Sequence, residues 1–177
     1  MCSKTRIVGF ALVLSCSAAW GQGVWSSPEV ISACGPRNVK LTVKTYSSPP
    51  TTQAVENVDA IVYVIQDLPQ VPSVLSTITR VGVDGQWVGA NQNRSHLSIA
   101  LKPGIHHVCV SGQWSKLASQ DSIALKRVEA KSGTIYYLRV RFLYPSGGGA
   151  FLGLETVDED EGKLLVGTSD FSLSHTK

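Results

Sequence analysis

The chain has 177 residues, of which 43% are hydrophobic and 16% are charged, and its formal net charge at pH 7 is +3. This length and composition support one globular domain with a packed core, and they exclude a chain that is disordered throughout. The charge is small and the basic residues do not cluster, so nucleic acid is not expected as a partner.

The first 21 residues have the layout of a secretory signal peptide. Lys4 and Arg6 open the segment, an apolar run follows over residues 7–14, and small residues precede Gln22, where the mature chain is predicted to start. The apolar run is too short for a permanent membrane span. Removal of the two basic residues would lower the formal charge from +3 to +1. The sequence therefore predicts an exported protein, located in the periplasm or associated with the outer membrane.

A second interpretation of the same segment is a lipoprotein signal, because VLSC at residues 13–16 resembles a bacterial lipobox. Cys16 would then be acylated, and lipid chains would hold the protein on a membrane. Both alternatives export the domain, and a lipid anchor is the only membrane contact that the sequence predicts. Residues 22–38 are expected to form an N-terminal tail, and residues 39–177 are expected to form the domain.

Alternating and apolar runs predict β structure in the first half of the domain. VKLTVKTY at 39–46 has the pattern of a half-buried strand, whereas AIVYVIQD at 60–67 is apolar on both faces and suits a central strand. Asp84-Gly85, between two short β runs, is the strongest short-range signal for a tight hairpin. HLSIALK follows with its apolar residues on one face, and Pro103-Gly104 then turns the chain into the next strand.

The second half of the domain adds the strand sequences DSIALKRVEA and TIYYLRVRFLY. The four acids at 158–161 suit a helix N-terminus and predict a short helix over 158–166, which Gly162 weakens. These acids do not have the alternating ligand spacing of a calcium loop. About seven short strands with one short C-terminal helix predict an all-β fold, a single β-sandwich of the prealbumin-like or immunoglobulin-like type.

Three motifs resemble a bacterial family of small exported proteins that is catalogued only as a domain of unknown function. These motifs are VDGQWVG, LKPGIHHVC and GTIYY. The central portion is also similar to the PEGA-type surface modules of bacterial envelopes. The resemblance runs from about residue 34 to the C-terminus, and it implies a fold and a compartment but no reaction.

The segment KPGIHHVCVSG contains two histidines and a cysteine. Strand alternation places His106 on the core face, as a partly buried histidine with a hydrogen-bond partner, and it places His107 and Cys109 on the other face. Those two side chains could contact one ion, but a closed transition-metal site needs about four ligands. Cys34 and Cys109 are the cysteines left after export, and two cysteines in an oxidising compartment usually pair, so we expect a disulfide between them.

Trp87, Trp114 and His107 are the candidates for a binding surface, although either tryptophan could instead be part of the core. No catalytic, metal or cofactor-binding residue is predicted, because no G-x-S-x-G elbow and no other spacing aims a serine at a base. The predicted function is a non-catalytic envelope module, binding or structural, with an unidentified envelope protein or glycan as its partner. The alternative is a periplasmic metal-binding protein or hydrolase that uses His107 and its neighbours.

Overall fold

The computed structural model describes residues 32–48, 59–68, 78–113, 122–143 and 151–177. The predicted signal peptide, the lipobox with Cys16, and Trp114 lie outside the described residues. Ten strands and one helix, α1, lie entirely within the described ranges. Their bounds are β1 Leu41–Tyr46, β2 Ala60–Asp67, β3 Ile78–Val83, β4 Gln86–Gln92, β5 Arg94–Leu101, β6 Gly104–Gln113, β7 Ile123–Ala130, β8 Ile135–Leu143, β9 Phe151–Val157, α1 Glu159–Gly167 and β10 Asp170–Thr176.

The strands form two sheets that pack face to face, which confirms the predicted all-β sandwich. The six-stranded sheet has the order β1-β10-β5-β2-β8-β9, and the four-stranded sheet has the order β4-β3-β6-β7. The expected number of about seven strands was too low. One reason is the segment of β10, for which the sequence did not predict a strand. Its serines face inward and its apolar residues face outward, which is the reverse of the usual pattern. Ser172 is buried, and its hydroxyl group donates a hydrogen bond to that of Ser95.

The main core lies between the two sheets. AIVYVIQD forms β2, a central strand between β5 and β8, as predicted. Its alternate residues belong to the core, and Ile65 on its other face packs against α1. The fully or almost fully buried aliphatic side chains of this core include Val62, Val64, Val81, Leu97, Val108, Val110, Leu138 and Val140.

Two non-glycine residues in left-handed conformations lie at the turns that begin and end β4. Asp84 has φ 49° and is followed by Gly85 with φ 86°, which confirms the tight hairpin between β3 and β4. Asn93, with φ 57°, joins β4 directly to β5 and so carries the chain from the four-stranded to the six-stranded sheet. At this corner the buried Asn91 side chain donates a hydrogen bond to the carbonyl of Val64 at 2.8 Å, which links the two sheets.

Helix α1 lies on the outer face of the six-stranded sheet. Asp158 caps its N-terminus by accepting a hydrogen bond from the backbone N–H of Glu161 at 2.9 Å, which confirms the predicted helix start. Leu165 packs with Ile65 and Tyr137 in a small second core. Gly162 lets the helix approach the sheet closely, because a Cβ atom at this position would fall on the ring of Tyr137.

Candidate functional site

A disulfide between Cys34 and Cys109 fastens the N-terminal segment to the outer face of the four-stranded sheet. The two Cα atoms are 5.2 Å apart, and the side chains are only 1% and 0% exposed. Cys109 faces away from the core that contains Val108 and Val110, as strand alternation predicted. The expected disulfide is confirmed.

Residues 33–39 form a packed segment, which we call the N-terminal clasp, although the sequence assigned most of them to a tail. The clasp lies directly on β3, where a Cβ atom at Gly82 would be 3.2 Å from the carbonyl oxygen of Ala33 and 3.3 Å from the Cα of Cys34. The backbone N–H of Gly85 donates to the same Ala33 carbonyl at 3.3 Å. Glycine at position 82 therefore allows the backbones of the clasp and the sheet to touch.

Trp87 is half-buried and covers the clasp. Its indole N–H donates to the carbonyl of Pro36 at 2.8 Å, and the guanidinium of Arg80 lies 4.4 Å from the ring centroid. Arg80 also donates to the carbonyls of Arg37 and Val39 at 3.1 and 2.8 Å. Burial of Arg80, together with the nearby charge of Arg37, lowers its pKa from the ordinary value. Much of the Trp87 ring thus contributes to holding the clasp.

His107 is exposed on β6 and shares a face with Cys109, whose sulfur belongs to the disulfide. The backbone N–H of His107 donates to Asp84 Oδ1 at 2.8 Å. Trp87 and His107 are on strands separated by β3, so the structure does not bring these two candidates together. Within the described ranges, no group of three or more His, Cys, Asp or Glu side chains is placed to hold a metal ion. A role for His107 stays a prediction.

His106 is the partly buried histidine with a hydrogen-bond partner that the sequence predicted. Its side chain is 18% exposed, Nδ1 lies 2.6 Å from Asp84 Oδ2, and Nε2 lies 2.8 Å from the carbonyl oxygen of Lys102. This contact joins the tip of the β3–β4 hairpin to the start of β6.

A row of rings crosses the outer face of the six-stranded sheet, and we call it the aromatic row. Tyr63 stacks on Tyr137 with ring centroids 5.5 Å apart, and His96 makes edge contacts with Tyr63 at 5.9 Å and with Phe171 at 5.7 Å. Tyr46 on β1 is in register with Phe171 on β10. Five adjacent strands each contribute one ring, so the row is about 19 Å long at the usual distance between strands.

The hydrogen bonds around His96 define its tautomer. Ser169 donates its hydroxyl proton to the carbonyl of Leu165 at 2.7 Å, so His96 Nδ1, at 2.9 Å, donates to the Ser169 oxygen. Burial lowers the pKa of His96 more than the nearby carboxylate of Asp170 raises it. The ring is therefore neutral near pH 7, and Nε2 keeps a lone pair that can accept a hydrogen bond.

Helix α1 covers one end of the aromatic row. Tyr137 is only 6% exposed under the helix, whereas Tyr46 at the other end is 38% exposed. Arg139 holds the helix in place, because it contacts Asp67 on β2 and Glu161 on α1, both at 2.7 Å. The more accessible rings of the row are thus Tyr46, Phe171 and Tyr63, whereas His96 on β5 is only 7% exposed.

An open groove of about 330 Å³ lies beside β1. Lys40 and Lys177 are at its rim, and Ile78 contributes to its wall. The side chain of Gln113 closes part of the groove by pairing with the backbone of Leu41, whose N–H donates to Oε1 at 2.8 Å and whose carbonyl accepts from Nε2 at 2.6 Å. Gln113 thus occupies the position that a neighbouring strand would have at this point of β1.

Comparisons of the chain with protein-family models, with curated proteins and with solved structures found no match. No helix in the described part of the chain is long and apolar enough to cross a membrane. The disulfide is compatible with an oxidising, exported location. Sequence reasoning missed the aromatic row, because its rings come from distant segments and only the order of the strands makes them neighbours.

Proposed function

We propose that the chain is an exported, non-catalytic module of the cell envelope that binds an envelope protein or a glycan through the outer face of its six-stranded sheet. The aromatic row carries this proposal. Aromatic rings supply large contact areas with little loss of side-chain entropy, and they are enriched in binding surfaces. Three rings of the row supply such contact area, since Tyr46 is exposed and Phe171 and Tyr63 are half-buried.

The two outer faces of the sandwich differ, and the difference supports this choice of surface. The N-terminal clasp covers part of the four-stranded sheet and is covalently fixed there by Cys34 and Cys109. The six-stranded sheet carries α1 over Tyr137 and leaves Tyr46 exposed. A partner therefore meets more aromatic surface on the six-stranded sheet.

Polar groups at the aromatic row fit a partner that has hydrogen-bonding groups. The guanidinium of the exposed Arg94 lies at the next outward position of β5 from His96, which is itself only 7% exposed. Apolar rings with a few placed polar groups are the usual composition of a specific binding site. Both proteins and glycans have such surfaces, and the proposal includes both.

Site-specific photocrosslinking tests the proposal. A photoreactive phenylalanine analogue is placed at Tyr46, and a matched control carries it at Leu125, which is 42% exposed on β7 of the other sheet. In cells that make the protein, we expect one recurrent adduct, protein or glycan, from position 46 and not from position 125. The adduct should be lost when Phe171→Ala is added. No adduct from position 46, or the same adduct from both positions, would contradict the proposal.

Elemental analysis of the purified mature protein separates this function from the metal-binding or hydrolytic alternative. We expect no stoichiometric zinc or copper in the wild type or in His107→Ala. A stoichiometric metal that disappears in the variant would show that His107 is a ligand, and the non-catalytic proposal would then be wrong.

A further inference from the structure

The imidazole of His106 lies between two oxygen atoms that can only accept hydrogen bonds in this arrangement. One is a carboxylate oxygen of Asp84, 2.6 Å from Nδ1, and the other is the carbonyl oxygen of Lys102, 2.8 Å from Nε2. A neutral imidazole carries a single N–H and can donate to only one of them. Both contacts are hydrogen bonds only when the ring is protonated on both nitrogens.

We infer that protonated His106 is a pH-dependent latch that holds the tip of the β3–β4 hairpin against β6, and that a rise in pH releases it. The latch acts through Asp84, the first residue of the turn. The same carboxylate accepts from the backbone N–H of His107 at 2.8 Å, and the Asp84 N–H donates to the His107 carbonyl at 3.1 Å. Loss of the proton on His106 therefore weakens the contact between His106 and Asp84, which is one of the contacts that fix the turn.

The charged surroundings of His106 come from three elements. Asp84 on the hairpin contacts the ring directly, and the ammonium of Lys102 is exposed and lies 3.9 Å from Asp59. On β7 the residue in register with His106 is the apolar Val128. His107, Arg127 and Glu129 are the other titratable or charged groups near the latch. Their register places them on the faces of β6 and β7 opposite to His106 and Val128.

The pKa shifts agree with this geometry. Burial lowers the pKa of His106, but the hydrogen bonds to Asp84 and to the Lys102 carbonyl more than offset it, so this pKa is raised. For Asp84, burial raises the pKa, but the hydrogen bonds from His107 N–H and His106 outweigh this and lower it.

The sign of the pH dependence follows from these directions. The contribution of His106 to the free energy of unfolding is complete below its pKa of about 6.5 in the unfolded chain. This contribution is lost as the pH rises through the higher pKa of the folded protein. The contribution of Asp84 to the free energy of unfolding is complete above about pH 3.9, the pKa of an aspartate in the unfolded chain. This contribution is lost as the pH falls through the lower pKa of Asp84 in the folded protein. The latch is therefore tightest in mildly acidic solution.

The latch also reaches the N-terminal clasp. Gly85, the second residue of the turn, donates its N–H to the carbonyl of Ala33, which directly precedes Cys34. When the turn loosens, the N–H of Gly85 is no longer held in position to donate to the carbonyl of Ala33. Release of the latch at higher pH therefore loosens the clasp beside the disulfide.

NMR titration combined with hydrogen exchange of the mature protein tests the latch. We expect both ring nitrogens of His106 to stay protonated above about pH 6.5, the ordinary pKa of a histidine. Between about pH 5.5 and 8.5, protection of the Gly85 amide, corrected for the intrinsic exchange rate, should fall about three- to tenfold, as expected for one partly exposed charge-assisted hydrogen bond.

Asp84→Asn is the informative variant, because asparagine suits the left-handed turn and removes only the charge. Its His106 should titrate at a lower pH than in the wild type, and protection of the Gly85 amide should no longer depend on pH. The control His107→Gln should keep the wild-type dependence. A wild-type His106 that titrates at or below about pH 6.5, or equal pH dependence in Asp84→Asn, would overturn the inference.

Discussion

Replacing Gly162 by alanine tests whether packing against Tyr137 determines the stability of α1. In a helix interior, alanine is favoured over glycine by about 1 kcal/mol, so helix propensity alone predicts a more stable protein. The structure predicts the opposite result, because the added Cβ atom would fall on the Tyr137 ring.

The size of the effect follows from the surroundings of this ring. Tyr137 has little room to move, because its ring stacks on Tyr63 with the two centroids 5.5 Å apart and is only 6% exposed. The helix must therefore shift outward, and overpacking of this kind costs about 1–3 kcal/mol. Partial exposure of Leu165, which lies on the buried face of α1, adds up to about 2 kcal/mol. After the gain in propensity of about 1 kcal/mol is subtracted, the free energy of unfolding should fall by about 0–4 kcal/mol, with about 2 kcal/mol as the central value.

Urea denaturation measures this difference, with Gly167→Ala as the matched control. Gly167 ends the same helix, and a Cβ atom there would meet no atom within 4 Å. That control should be unchanged or more stable by up to about 1 kcal/mol. In a Tyr137→Ala background, Gly162→Ala should cost less than in the wild type. Equal stability of Gly162→Ala and Gly167→Ala would refute the packing argument.

Loss of the disulfide between Cys34 and Cys109, which are 75 residues apart, should lower the free energy of unfolding by up to about 4–5 kcal/mol in urea denaturation; two alkylatable thiols in the native protein would contradict the bond. Val108→Asp should destabilise the domain by several kcal/mol, roughly the cost of a buried unpaired charge, whereas Leu125→Asp on the exposed face should change the melting temperature little. N-terminal sequencing of exported protein should show that residues 1–21 are absent, and an intact N-terminus would be incompatible with a cleaved signal.

Features that depend on neighbouring residues were predictable from the sequence. The Asp84-Gly85 turn needs two left-handed conformations, which these residue types adopt at little cost, and the structure has both. The alternation in β6 correctly placed Val108 in the core and Cys109 on the opposite face. In these cases the sequence pattern spans only a few residues, and the physical preference acts over the same range.

Features that depend on the order of the strands were not predictable from the sequence. Gly162 reads as a helix-weakening residue until the ring of Tyr137 is found beneath it. The aromatic row has no local pattern, since Tyr46 and Phe171 become neighbours only because β10 pairs with β1. The partners of His106 were also hidden, because the carboxylate of Asp84 comes from a hairpin on the adjacent strand pair.

The pairing of β1 with β10 has a consequence for how the protein is made. Thr42 and its partner His175 are 133 residues apart, so β1 has no ladder partner from β10 until that stretch has been synthesised. At about 5–20 residues per second this takes roughly 7–27 s. Pairings of such long range also form slowly. The six-stranded sheet therefore cannot close until the last strand of the chain has been synthesised, and β1 stays without this partner for most of translation.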